Sequence, residues 1–85
     1  MTKEDFLATE IVKSTMAYSS KRQNSKANEM LQTVYNMIGE WDQGKIHRWI
    51  GYAQCLLVAD GSVTLDTLKQ EIKDINNLVK EMYDN

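Results

Sequence analysis

The sequence predicts an all-α protein, a small bundle of three to four helices, and three observations carry that expectation. Proline is absent and only four glycines occur, which removes most of the turn residues that hairpins and sheets require. Apolar residues recur at steps of three and four through most of the chain. Side chains able to cap a helix stand ahead of these runs, at Thr2, Asn24 or Ser25, Asp42 and Thr64. A chain of 85 residues is too short for two independent cores, so residues 1–85 are expected to form one domain.

The first helix is expected over 3–19. Thr2 is followed by Lys-Glu-Asp, whose acids suit a helix N-terminus, and Leu7, Ile11 and Tyr18 return at helical spacing. Its pattern is ragged, because Val12 and Met16 fall opposite Leu7 and Ile11. The polar run Ser-Ser-Lys-Arg-Gln-Asn-Ser-Lys reads as a loop. A second helix over 25–41 places Ala27, Met30, Leu31, Val34, Ile38 and Trp41 on one stripe.

Asp42 caps a third helix over 43–59, with Gly39 and Gly44 weakening continuity on either side, and a single bent helix is the competing reading. Gly61 suits the left-handed conformation at its end. The fourth helix, 64–83, carries Leu65, Leu68, Ile72, Ile75, Val79 and Met82 at alternating steps of three and four, a coiled-coil seam little more than two heptads long.

On a helical wheel of the third helix, Ile46, Trp49, Ile50, Ala53, Leu56 and Leu57 form a core face. Opposite them lie Gly51, Cys55 and Val58, where a solvated helix would carry Lys and Glu. This helix is therefore expected to be central and covered on both sides, by the first helix or by a second subunit. A small core, one cysteine and no zinc-ligand spacing make self-association the expected source of extra stability. The expected oligomer interface comprises Gly51, Cys55 and Val58 with Leu68, Ile72, Ile75 and Val79 of the coiled-coil seam.

Twelve acids against ten bases give a formal net charge of -2, which argues against general binding of duplex DNA. Cys55 lies in an apolar run and reads as a small buried hydrophobe, in keeping with a reducing cytoplasm. The N-terminus shows no signal or transit pattern, and the longest apolar run, 55–59, is far short of a membrane span.

The polar residues of the third helix divide into Lys45, Arg48 and Tyr52 on one flank and His47 and Gln54 on the other. Cations at a helix start oppose its dipole, so they call for a partner. Glu40, Asp42 or acids of the fourth helix could pair with them. Alternatively they hold an anionic ligand such as a nucleotide, with Tyr52 or Trp49 beside it and Arg22 and Lys26 extending the patch.

The stretch Lys45–Leu65 resembles a motif of small uncharacterised proteins of tailed bacteriophages. The matching residues are Lys45, His47, Arg48, Trp49, Gly51, Tyr52, Gln54, Gly61, Thr64 and Leu65, and the stretch covers about a quarter of the chain. That resemblance implies an accessory protein made in a bacterial cytoplasm, one that modifies or blocks a host process. It implies no activity.

Catalysis, metal binding and a cofactor are not expected. His47 and Cys55 stand eight residues apart on one helix, about 12 Å along its axis, and no cysteine pair, phosphate loop or calcium loop is present. The sequence thus points to a homo-oligomeric interaction protein that occludes a host macromolecule. A binder sequestering a nucleotide-like anion at a subunit junction is the second reading.

Overall fold

A computed structural model describes the backbone of residues 1–22 and 25–84 and, apart from 20–22, their side chains. Four helices follow one another: α1 (Lys3–Arg22), α2 (Ser25–Met37), α3 (Gln43–Ala59) and α4 (Leu65–Asp84). The all-α class and the four-helix order are borne out.

Thr2 caps α1, its Oγ1 accepting from the Asp5 amide at 3.1 Å. The helix runs past its expected end at Ser19 and continues to Arg22, so the polar run begins as helix. Three hydroxyls inside α1 bond back to its own carbonyls. Thr9, Thr15 and Ser19 donate to the carbonyls of Asp5, Ile11 and Met16 at 2.8, 2.8 and 2.9 Å. Buried hydroxyls satisfied in this way cost the core little. Asn24, one of the two caps expected for α2, lies outside the described residues.

In α2, Ala27, Leu31 and Val34 are fully buried. The helix ends at Met37, four residues earlier than its apolar stripe suggests, because Gly39 turns the backbone at φ +93°. The amides of Glu40 and Trp41 close the turn on the Met37 carbonyl at 2.9 and 3.0 Å. Ile38 and Trp41 still reach the core from this turn, which is why the stripe outruns the helix. Helices α2 and α3 are therefore separate, and the bent-helix reading is excluded.

Asp42 caps α3 with its Oδ1 on the Lys45 amide at 3.0 Å. The far end closes as a Schellman motif. Gly61, at φ +80°, donates to the Val58 carbonyl at 3.2 Å, and Ser62 donates to that of Leu57 at 3.0 Å. Thr64 then caps α4, accepting from the Thr67 amide at 3.1 Å.

The helices run up, down, up and down. Lys3 meets Asp84 at 2.8 Å, Phe6 meets Tyr83 with ring centroids 5.7 Å apart, and Glu71 accepts from Ser14 and Tyr18, so α4 lies antiparallel along α1. Gln43 donates to Asp5 at 2.9 Å and sets the start of α3 beside the start of α1.

Helix α1 packs against α2, α3 and α4, and α2 packs against α3, but α3 and α4 are not a closely packed pair. The central helix is thus α1 and not α3 as expected. The ragged pattern of α1 follows from this position. Ala8, Ile11 and Val12 are all buried, and a helix packed against three others needs no single apolar face.

Candidate binding site in the open seam

Where a closed four-helix bundle would join α3 to α4, this protein has a groove of about 440 Å³. One wall is α3, through Gly51, Gln54, Cys55, Val58 and Ala59. The other is α4, through Leu65, Leu68, Lys69 and Ile72. Apart from Gln54, the α3 wall is built of small residues.

The α3 face expected to be covered on both sides is open within the chain. Cys55 is exposed, not buried, and Gly51 and Val58 are half-buried. Helix α1 contributes no residue to this groove and does not cover it. At Gly51 an added Cβ would meet no atom within 4 Å, so the missing side chain makes room for no neighbour in the chain itself.

The expected interface residues of α4 divide. Leu68 and Val79 are only 3% and 1% exposed and are used inside the monomer, whereas Ile72 and Ile75 are half-buried. The seam of α4 thus serves its own bundle first, and Leu68 and Val79 are corrected from interface to core. Leu65, Leu78 and Met82 remain at least half exposed on the same helix.

Of the expected Lys45, Arg48 and Tyr52 cluster, Lys45 is engaged within the chain, while Arg48 and Tyr52 remain exposed on α3. Lys45 is half-buried with its Nζ 4.1 Å from the centre of the Trp41 ring, which in turn packs on Trp49 with centroids 4.8 Å apart. That cation–π contact replaces the expected carboxylate partner. Asp42 spends its carboxylate on the backbone as a cap, and Arg48 has no ion pair among the described residues. His47, Arg48 and Tyr52 are all exposed.

Lys26 lies in a separate cleft of about 180 Å³ between α2 and α3, with Glu29, Met30, Thr33 and Trp49. Arg22 lies at the end of α1, and its side chain is outside the described residues. The structure therefore brings Lys26 to Trp49, in a cleft that neither Lys45 nor Arg48 lines.

Among the described residues no group of three or more His, Cys, Asp and Glu side chains could hold a metal ion. No helix among them is long and apolar enough to cross a membrane. The Tyr18 hydroxyl on α1 is raised above its ordinary pKa, first by its hydrogen bond to Glu71, then by burial and by the charge of Glu71.

No family model, curated protein or solved structure matches this chain. The chemistry of the site is therefore read from its geometry alone. The ten residues that carried the sequence resemblance fall along α3, the turn after it and the first position of α4, where Gly61 and Thr64 have structural roles, Trp49 packs on the core, and His47, Arg48 and Tyr52 face outward.

Of the α4 wall, Leu68 and Ile72 were expected at an oligomer interface, whereas Lys69 was missed as a site residue in the sequence. A signal did exist. Lys69, Lys73 and Lys80 are spaced by four and seven and share one flank of α4.

Proposed function

We propose that this protein is a non-catalytic interaction protein that engages a macromolecular partner through the α3–α4 groove. The observation that carries the reading is the groove itself, an open apolar seam in a bundle otherwise closed around α1. A chain of this size with a net charge of -2 and so few nucleophile and base side chains has little to offer chemistry, while a preformed apolar slot lowers the cost of binding a partner. The resemblance to tailed-phage proteins supports reading it as an accessory protein of a bacterial host's cytoplasm that occludes a host macromolecule. Assembly with itself through Ile75 and the exposed Leu78 and Met82, none of which lines the groove, is part of the same proposal.

The test is affinity capture from bacterial lysate with the wild-type chain and with Gly51→Leu, which fills the slot. Proteins retained by the first and lost by the second support the reading. An identical set of retained proteins, or none, overturns it.

A second reading is supported by the smaller cleft, where Lys26 and Thr33 stand beside Trp49. A cation next to an indole suits a nucleotide-like anion. Thermal midpoints measured with nucleotides and cyclic nucleotides test it, because a ligand held only by the folded state must raise the midpoint.

A further inference from the structure

Resting on the reading of the α3–α4 groove as a docking slot, we infer that its occupant is an acidic amphipathic helix supplied by another protein. The first observation is the charge around the slot. Lys69 lines it, and Lys73 and Lys80 follow four and eleven residues later, within roughly 40° of Lys69 on the wheel. All three are exposed, and none has a carboxylate partner among the described residues.

On the opposite wall Arg48 lies seven residues before Cys55, hence on the same line of α3, and it too is exposed and unpaired among the described residues. The acids of α4 do not offset this rim. Glu71 is turned to α1, Asp84 is held by Lys3, and Asp74 and Glu81 fall roughly 100–120° away from the lysine row. Asp66 stands at the turn end only. A chain of net negative charge therefore places unpaired cations along both walls of its apolar slot.

The second observation is length. From Gly51 to Ala59 and from Leu65 to Ile72 each wall runs about 10–12 Å, which is the span of apolar residues at i, i+4 and i+7 on a docked helix. The lysine row extends further, about 16 Å, beyond the reach of a compact ligand. An apolar ridge would sit on Cys55, Val58 and Leu65, and Asp or Glu side chains beside it would meet Lys69, Lys73, Lys80 and Arg48. A second copy of this chain fits less well, because the acids of its α4 are either used within the monomer or far from its apolar stripe.

The probe is a dye-labelled helical peptide with Leu at i, i+4 and i+7 and Glu at the remaining exposed positions, with a counterpart carrying Lys in place of Glu. Fluorescence anisotropy is followed with the full chain, with Gly51→Leu and with the triple variant Lys69→Glu, Lys73→Glu, Lys80→Glu. Each protein is first checked by circular dichroism.

The Glu peptide is expected to bind about tenfold or more tightly than the Lys peptide and to lose about tenfold in each variant. The charge-reversed triple variant is expected to prefer the Lys peptide, a reversal that mere loss of folding cannot produce. Absence of saturable binding at millimolar Glu peptide, or equal binding of both peptides, overturns the inference. So does light scattering that finds a dimer dissociated by Gly51→Leu, in which case a second copy fills the slot and the docking reading survives. If Gly51→Leu alters neither peptide binding, self-association nor lysate capture, both fall.

Discussion

Tyr18 on α1 donates its phenolic proton to Glu71 Oε1 on α4, and Ser14 fills the other carboxylate oxygen at 2.6 Å. One side chain thus anchors α4 along the central helix, on the flank away from the groove.

The bond makes stability depend on alkaline pH. Tyr18 titrates above its ordinary value of 10.0 because the folded state favours its protonated form. The contribution is fully present below pH 10 and is lost as the pH rises through the raised value. Urea unfolding from about pH 8 to about pH 11 should show the wild type losing stability more steeply than Tyr18→Phe above about pH 10. At neutral pH Tyr18→Phe should cost on the order of 1 kcal/mol, since the site is only half-buried.

Two glycines should respond in opposite directions to alanine. Gly51 lies inside α3 with open space where a Cβ would stand, so Gly51→Ala should stabilise by about 0.5–1 kcal/mol through helix propensity. Gly61 holds φ +80° at the Schellman turn, and Gly61→Ala should destabilise by roughly 1 kcal/mol or more. Equal effects in denaturant titrations would contradict the backbone assigned to the α3–α4 turn.

The cap of α3 should be worth more than its leading cations. Asp42→Ala removes the acceptor of the Lys45 amide and should cost about 1 kcal/mol. Arg48→Ala, at an exposed site with no ion pair, should change thermal stability by less than about 0.5 kcal/mol. A large loss for Arg48→Ala would mean that it has a structural partner.

Core and groove should differ sharply under truncation. Leu31 is fully buried, and Leu31→Ala should cost about 2–5 kcal/mol. Leu78 is 50% exposed, and Leu78→Ala should cost well under half of that in a dilute monomer. Cys55, exposed in the groove, should react with a thiol reagent in the native state and be protected once the slot is occupied. Protection already present in the isolated protein at low concentration would show a covered face.

The sequence by itself determined the helical class, the caps at Thr2, Asp42 and Thr64, the turn at Gly61 and the apolar stripe of α2. Each of these rests on interactions within a few residues, which spacing and residue type report directly. Only the tertiary structure decided that α1 is the centre, that Lys45 lies on Trp41, and that the seam between α3 and α4 is open. Periodicity records how much of a helix avoids water, not which neighbour supplies the cover. The ragged α1 carried the stronger sign of central packing, while Gly51, Cys55 and Ala59 suit close contact and an open slot equally well. Choosing between those outcomes depends on contacts between residues distant in the chain, which local patterns do not encode.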